Sequence, residues 1–387
     1  MQRFTALTGK GLGLLLFIWF LWFMSFTTRT IFSPILPLLE NEFGVSHARA
    51  SSIFMSFSTG YSLSVFFAGF FASHLGAKTS VLLSIGLSVV VFLLIPFVQV
   101  FQFFYLLTFM LGTAAGMYLP SMIPLLTDYY AENVWGRVIA MHDSGAPISV
   151  FCAPFIALAI LTFFPWRGIF VVLAVIFAAC GVVFYFLADE RKFVRGKYAF
   201  PASLWKRKEL WCLGTVAVFM GGSSLGLFYV IPLYLVQELS MPAGHANTIL
   251  GISRIGGVVV AIGAGFVVDR FSLKKTMLAV TLVTGLFTIL LALGGVAWIR
   301  SLLFIQACFV TGYFPTMFVA VSRLFGPETR GQATGILLTL AAVFGTGLIP
   351  YLLGVSGDLV SFRFGIFFLG ALTTLSSGLI LLLKDLR

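Results

Sequence analysis

Apolar runs long enough to cross a lipid bilayer recur along the whole chain. A transmembrane helix needs about 20 mostly apolar residues. Twelve such runs can be counted, at residues 11–38, 50–72, 80–98, 102–126, 138–161, 168–187, 211–236, 247–268, 276–297, 302–322, 333–354 and 364–383. Because 60% of the 387 residues are hydrophobic, one soluble core could not bury this apolar surface. The pattern predicts an all-α membrane protein with twelve transmembrane helices.

Residues 188–210 form the longest polar interruption of this pattern. Seven of the 24 Lys and Arg residues lie within it: Arg191, Lys192, Arg195, Lys197, Lys206, Arg207 and Lys208. Loops rich in Lys and Arg stay on the cytoplasmic side of a membrane. We therefore expect a cytoplasmic linker at 188–210 between two six-helix halves, residues 1–187 and 211–387.

The other basic residues predict the orientation. With the N-terminus inside, 18 Lys and Arg residues fall on the cytoplasmic side and four on the external side: Arg49, Arg167, Arg300 and Arg363. This bias predicts a multi-pass protein of the cytoplasmic (inner) membrane with both termini in the cytoplasm. Topology therefore explains the net charge of +11 without a nucleic-acid partner. The expected partners are the lipid bilayer and a small molecule, and the expected state is a monomer.

The two halves repeat each other. The segment 118–122 of the fourth predicted helix matches 313–317 of the tenth, an offset of 195 residues. Pro37 and Pro232, which we expect to end the first and seventh helices, differ by the same number. An offset shared by several helix pairs indicates a parallel duplication of six helices.

A charged motif follows the eighth predicted helix. It reads Gly265-Phe-Val-Val-Asp269-Arg270-Phe-Ser272-Leu-Lys274-Lys275. The motif resembles the signature of the major facilitator superfamily, Gly-x-x-x-Asp-Arg-x-Gly-x-Lys/Arg-Lys/Arg, with Ser272 in place of the second Gly. In that family the stronger copy lies between helices two and three. Here the first-half copy, residues 69–78, lacks the Asp and the Arg.

This resemblance covers the whole chain through helix count, repeat and linker. It implies two six-helix bundles around a central cavity that opens alternately to the two sides of the membrane. It also implies that Gly265, Asp269, Arg270 and Lys274 belong to a cytoplasmic latch. The alternative for the basic residues is that they only set the topology.

Two arginines interrupt predicted membrane helices. Arg29 lies about 7 Å and Arg254 about 5 Å to the external side of their helix midpoints, at about 1.5 Å per residue. A charge at this depth is costly and therefore indicates a function. Two guanidiniums at one level predict an anion site, since Arg grips carboxylates and phosphates through two hydrogen bonds. The alternatives are bonds from Arg29 to helix carbonyls, Glu40 or Glu42, and extension of Arg254 to the surface.

Ser25 and Arg29 recur at helical spacing and form a polar stripe on the first helix. The spacing from Arg29 to Pro37 resembles that of organic-anion and organophosphate members of the superfamily. The resemblance therefore implies a substrate-binding role for Arg29, and Ser25 is a candidate because it shares the polar stripe. The second arginine of those members lies in helix four or seven, whereas here it lies in helix eight.

Three further polar residues are candidates for substrate binding. Tyr118 and Tyr313 are repeat mates in helices that line the cavity of the resembled family, and Gln306 lies two turns before Tyr313. A buried tyrosine hydroxyl needs a hydrogen-bond partner, which is either a ligand or another helix.

Asp143 and His142 are the candidates for proton coupling. Asp143 lies about 10 Å to the cytoplasmic side of the fifth helix midpoint, and a carboxylate in a wet cleft can carry one proton per cycle. The alternatives are a stabilising acid near a helix N-terminus or a gate pair with an arginine.

Taken as a set, these features predict a secondary active transporter of a small organic anion. One alternative is an exporter of lipophilic compounds or multiple drugs, and another is a transporter-like membrane sensor. We expect no enzymatic activity, because no HExxH or GxSxG motif is present. We expect no cofactor and no metal, since the four cysteines lack metal-ligand spacing.

Overall fold

The computed structural model describes residues 4–67, 74–189, 202–270, 272–383 and 386. Within these ranges, the side chains of 202–203, 261–270 and 327 are not described. The described residues form helices and turns, with no β-structure beyond a single bridge between Phe4 and Tyr130. The predicted all-helical architecture is confirmed.

Twelve long helical segments follow one another within the described residues. They are α1 Gly9–Phe43, α2 Ile53–Phe66, α3 Ala77–Phe97, α4 Gln102–Tyr129, α5 Glu132–Leu161, α6 Trp166–Leu187, α7 Lys208–Glu238, α8 Ala243–Arg270, α9 Leu273–Leu293, α10 Ile299–Leu324, α11 Glu328–Leu359 and α12 Phe362–Leu381. A short helix, His47–Ser51, precedes α2.

Ten of these helices are long and apolar enough to cross a membrane, when only described residues are considered. The other two, α2 and α8, each adjoin a segment that the structure does not describe. The described part of α2 has 14 residues, which is shorter than a membrane span. The predicted number of twelve spans therefore stays a prediction.

The outside of the fold is apolar. Phe97, Phe186 and Leu359 are each 78% or more exposed. Large apolar side chains lie on the outside of helices where the surrounding medium is hydrocarbon. Helices can cross such a medium because their backbone groups are paired internally. The exposed surface is therefore suited to lipid.

The chain forms two compact units. Unit 1 contains residues 1–31 and 59–198, and unit 2 contains residues 32–58 and 199–387. The two segments of α1, Gly9–Thr30 and Phe32–Phe43, meet at a turn at Ile31, where unit 1 passes into unit 2. The predicted halves, 1–187 and 211–387, differ from these units in the placement of residues 32–58.

Glycines permit close helix contacts within unit 1. A Cβ atom at Gly116 of α4 would lie 2.6 Å from the carbonyl oxygen of Tyr61 on α2. A Cβ atom at Gly145 of α5 would lie 3.2 Å from the backbone nitrogen of Phe23 on α1. Small residues of this kind let helix backbones approach one another in membranes.

In unit 2, α7 and α11 meet where both contain π-helical turns. These turns are Gly222–Gly226 in α7 and Ala341–Leu348 in α11. A Cβ atom at Gly345 would lie 2.6 Å from the carbonyl oxygen of Val218, and one at Gly226 would lie 2.7 Å from the carbonyl oxygen of Gly345. Glycine is therefore required on both sides of this contact.

Two prolines do not end their helices as expected. Pro37 lies inside Phe32–Phe43, and the helix containing Pro232 continues to Glu238. A proline removes one backbone hydrogen bond, and membrane helices tolerate this loss where local π-type turns or neighbouring groups compensate. The carbonyl oxygen of Phe228, four residues before Pro232, accepts a hydrogen bond from Oγ of Ser33 at 2.7 Å, which is a compensation of this kind.

Candidate functional site

Arg254 is buried in unit 2 with one edge of its guanidinium unused. Its residue surface is 6% exposed, and its Cζ atom lies 5.1 Å from the centroid of the Phe228 ring on α7. Its Nε and Nη2 atoms are buried without a hydrogen-bond partner among the described residues. Because these two atoms share one edge of a planar group, they form a fork that can donate two parallel hydrogen bonds.

Asn247 lies two turns before Arg254 on α8 and is also buried. Its Nδ2 atom donates to the carbonyl oxygen of Pro34 at 3.0 Å, which fixes the orientation of the amide. Its Oδ1 atom has no hydrogen-bond partner in the described part of the chain. This face of α8 therefore presents an unused donor fork and an unused acceptor.

Arg29 lies in unit 1 among aromatic rings. Its Cζ atom is 4.5 Å from the ring centroid of Phe26 and 4.5 Å from that of Tyr61. Aromatic faces stabilise a cation by about 0.5–2 kcal/mol each, with larger values where water is excluded. The prediction that Arg29 and Arg254 bind one ligand concerns two different units and stays a prediction.

The two predicted tyrosines have carbonyl partners. The hydroxyl of Tyr118 donates to the carbonyl oxygen of Ile18 at 3.2 Å, and that of Tyr313 donates to the carbonyl oxygen of Leu213 at 3.4 Å. Both tyrosines are buried. Each bond therefore joins two helices of one unit, which agrees with the alternative that these hydroxyls bond another helix. Substrate binding by either residue stays a prediction.

Gln306 and Ser25 are buried polar residues of units 2 and 1, respectively. The Nε2 atom of Gln306 donates to the carbonyl oxygen of Ser223 at 2.8 Å and to Oγ1 of Thr288 at 3.3 Å. Its Oε1 atom has no partner within the described residues. The backbone oxygen of Ser25 accepts a bond from Oγ1 of Thr28. One acceptor of Gln306 is therefore unpaired within the described residues, and substrate binding by Gln306 and Ser25 stays a prediction.

His142 and Asp143 form a pair beside an aromatic stack in unit 1. Nδ1 of His142 lies 3.1 Å from Oδ1 of Asp143. The imidazole is buried, whereas the Asp143 side chain is 58% exposed. The ring centroid of His142 lies 5.5 Å from that of Trp22 and 6.2 Å from that of Tyr118, with nearly parallel planes. The predicted proton candidates are therefore in contact, and one reaches solvent in the isolated chain.

Two ring nitrogens of this stack are also buried. Nε2 of His142 and Nε1 of Trp22 are buried without hydrogen-bond partners among the described residues. Nδ1 faces Asp143, so Nε2 is the ring nitrogen that is not engaged by that carboxylate, and a proton-coupling role for the pair stays a prediction.

The predicted latch is described only in part. The backbone of Gly265, Asp269 and Arg270 is helical, and their side chains lie outside the described residues. Lys274 donates from Nζ to the carbonyl oxygens of Leu381 and Leu383, at 2.9 and 3.0 Å. A lysine at the C-terminal end of a helix satisfies carbonyls that lack a helical partner. Lys274 thus joins the start of α9 to the end of α12, and a latch role stays a prediction.

Sequence reasoning did not find the aromatic partners of the two arginines. Phe228 and Tyr61 contact Arg254 and Arg29, respectively. The chain contains 44 phenylalanines and 11 tyrosines, and nothing in the sequence separates these two from the residues that face lipid.

No group of three or more His, Cys, Asp or Glu residues that could hold a metal is found among the described residues. An open groove between α3 and α6 is lined by apolar side chains, including Leu82, Ile85, Val182 and Phe186, and contains none of the predicted site residues. Such a groove is suited to acyl chains rather than to a polar ligand.

Many apolar helices with a few buried charged groups are typical of multi-pass membrane transport proteins. The model of the Major Facilitator Superfamily matches residues 18–340 and, a second time, residues 213–387. The chain belongs to this superfamily, so the resemblance inferred from its motif and repeat is confirmed.

Two relatives and one solved structure are similar to this chain. The multidrug resistance protein MdtL of Shewanella oneidensis is 23% identical over 333 residues, covering 83% of each chain. The hexuronate transporter of Bacillus subtilis is 23% identical over 283 residues, covering 68% of this chain and 66% of the relative. A bacterial homolog of the human lysosomal transporter Spinster has a TM-score of 0.82 at 14% identity, covering 98% and 99% of the two chains. The last comparison supports the fold alone.

Proposed function

We propose that this transporter carries a small organic anion, such as a carboxylate or a phosphate ester, by secondary active transport. The observation that carries the proposal is the buried, unused Nε and Nη2 edge of Arg254. An ionised group away from water without a partner is costly, at several kcal/mol. A bound anion would remove this cost while the site is occupied.

The geometry of the fork favours a planar or tetrahedral oxyanion. Two parallel N–H groups on a rigid plane match the two oxygens of a carboxylate or two oxygens of a phosphate. Phe228 covers the guanidinium at 5.1 Å, which restricts its orientation. One relative is named a hexuronate transporter, and a hexuronate carries a carboxylate, which agrees with this proposal.

Multidrug export is a second candidate function. It is favoured by the relative named a multidrug resistance protein, which is similar over 83% of the chain.

The remaining parts of the proposal concern coupling and orientation. We expect transport to be coupled to protons through Asp143 and His142. We expect the protein to act as a monomer in the cytoplasmic membrane. The bias of the basic residues predicts that both termini lie in the cytoplasm.

The test measures the melting temperature of the purified protein against a panel of carboxylates, phosphate esters and lipophilic cations. A ligand at about 100 times its Kd stabilises the folded state by about 2.7 kcal/mol. We expect stabilisation by an anion and its loss in Arg254→Gln, with affinity reduced by roughly thirty- to a thousand-fold. Arg254→Lys keeps the charge without the fork and is expected to weaken binding less.

Melting without ligand separates binding from a structural role. If Arg254 serves a ligand, Arg254→Gln melts at or above the wild-type temperature, because an uncompensated buried charge has been removed. Arg300→Gln is the matched control, since Arg300 is exposed and contacts His245. A variant Arg254→Gln that melts lower but responds to anions like the wild type would contradict the proposal.

A further inference from the structure

A polar cluster in unit 2 joins the end of α1 to α7. Glu40 is 7% exposed. Its Oε2 atom lies 2.8 Å from Nδ1 of His47, and its Oε1 atom accepts a hydrogen bond from Nε2 of Gln237 at 3.0 Å. Both carboxylate oxygens of Glu40 are therefore engaged, one by an imidazole and one by an amide.

The same cluster joins the short helix His47–Ser51 to α11. The two carboxylate oxygens of Asp358 accept hydrogen bonds from the backbone nitrogens of His47 and Ala48, each at 2.9 Å. A carboxylate at the start of a helix satisfies amide groups that lack a helical partner. The ring centroid of His47 also lies 4.8 Å from that of Phe362 on α12.

His47 lies among three acids. Glu40 on α1 contacts it directly, Asp358 on α11 binds its backbone, and Glu238 on α7 acts on it through space. Glu238 also contacts Arg363, whose Nε is 3.7 Å from Oε1, and accepts a hydrogen bond from the backbone nitrogen of Phe362. The charged neighbour on its own short helix is Arg49, which is exposed. The acidic surroundings favour a protonated imidazole.

We propose that Glu40 and His47 form a proton-binding site that holds residues 32–58 against the rest of unit 2. When His47 is protonated, its bond to Glu40 is a charge-assisted hydrogen bond, which is about twice as strong as a neutral one. When His47 is neutral, the bond weakens and residues 32–58 separate more readily from α7 and α11. The site acts in this way whatever anion or other compound is transported.

The direction of the pH effect follows from linkage. The hydrogen bond with Glu40 raises the pKa of His47 above its usual value of about 6.5, burial opposes the rise, and the charges of Glu40, Asp358 and Glu238 add to it. A proton therefore binds more tightly to the assembled cluster than to the separated one. The added stability is fully present below the usual pKa and disappears as pH rises through the raised value.

The experiment measures access to a buried reporter at the cluster. Ala50 is buried in the short helix, and Ala50→Cys is placed in a chain whose four cysteines are replaced by alanine. A membrane-impermeant maleimide is added from the predicted external side, and the labelling rate is measured from pH 5.5 to 9. Each rate is divided by that of the same chain carrying His47→Asn, so that the reactivity of the thiol cancels.

We expect labelling about tenfold slower than in His47→Asn at acid pH, since couplings between sites are commonly 5- to 150-fold. The ratio should rise towards one at alkaline pH. His47→Lys carries a permanent charge and should label slowly at every pH. The labelling rate of His47→Lys is compared directly with that of the wild type at the same pH. This comparison does not use His47→Asn, so it holds even if that variant does not fold.

His245 provides the matched control. It is an exposed histidine of unit 2, with Nε2 in contact with Nη2 of Arg300. His245→Asn should leave the pH profile of the reporter unchanged. A labelling ratio that is constant with pH, or a profile that depends on His245 instead of His47, would overturn the proposal.

Discussion

At the scale of single residues, the pair formed by His142 and Asp143 indicates a division of roles. The carboxylate lies against Nδ1 and fixes the tautomer, while Nε2 is buried and has no partner among the described residues. An exposed acid and a buried imidazole in contact could pass a proton between water and the interior. If transport is proton-coupled as proposed, we expect Asp143 to position the imidazole and His142 to carry the proton.

Replacement of His142 tests this assignment. In proteoliposomes, His142→Gln should reduce proton-driven net uptake by about 100-fold, at the low end of what a positioned acid or base supplies. Exchange of internal for external substrate requires no net proton movement and should persist. Glu132→Gln, an exposed acid at the start of α5, is the control and should keep both activities. Loss of exchange in His142→Gln would indicate a structural role instead.

Single residues also mark the limit of sequence reasoning. Arg254 was predictable because a charge in an apolar run needs a reason. The contact of Trp22 with Tyr118 and His142 was not predictable, because it joins three helices distant in sequence. The cluster around His47 was not predictable for the same reason: Asp358, which binds the backbone of His47, lies 311 residues further along the chain.

At the scale of helices, α7 and α11 approach through glycines whose neighbours are backbone atoms. A backbone atom cannot turn away from an added methyl group as a flexible side chain can. Overpacking of this kind costs about 1–3 kcal/mol. The two helices therefore tolerate little change at their π-helical turns.

Two substitutions in α11 should differ in their effect on the free energy of unfolding. Gly345→Ala should destabilise the protein by about 1–3 kcal/mol, because its Cβ atom would lie 2.6 Å from the carbonyl oxygen of Val218. Gly335→Ala should be neutral or stabilise by up to about 1 kcal/mol, because nothing lies near its Cβ position. Melting in detergent measures both, and equal melting temperatures would contradict the predicted contact.

The sequence could not have separated these two glycines. Gly335 and Gly345 lie ten residues apart in one apolar helix, and each is a small residue that could permit close packing. The difference arises from α7, whose own glycines Gly221 and Gly222 bring its backbone to Gly345. Helix existence is thus encoded locally, whereas the close contact depends on a second helix.

At the scale of the whole molecule, the duplication predicted from sequence recurs in the geometry of each unit. Tyr118 bonds to the carbonyl of Ile18, and Tyr313 bonds to that of Leu213. Donors and acceptors are both separated by the 195 residues found in the sequence. The repeat was predictable because it is written in residue types, whereas the assignment of residues 32–58 to unit 2 depends on contacts made far along the chain.

Labelling of two exposed positions tests the predicted orientation. In intact cells, Asn133→Cys at the start of α5 should be protected from an impermeant maleimide, and Thr162→Cys between α5 and α6 should react. Both residues are exposed, so protection would reflect the membrane rather than burial. Permeabilisation should abolish the difference. Reaction of Asn133→Cys in intact cells would reverse the topology.

The bonds from Asp358 to His47 and Ala48 also bear on biosynthesis. The ribosome makes Ala48 long before it makes Asp358, which lies 310 residues later. At a synthesis rate of about 5–20 residues per second, roughly 15–60 s pass between synthesis of the short helix and synthesis of the carboxylate that binds its N-terminus. During that interval the end of α1 is newly inserted but lacks the partners that later hold it. A nascent chain truncated before α11 should therefore expose residues 40–51 to proteases, whereas the finished protein protects them.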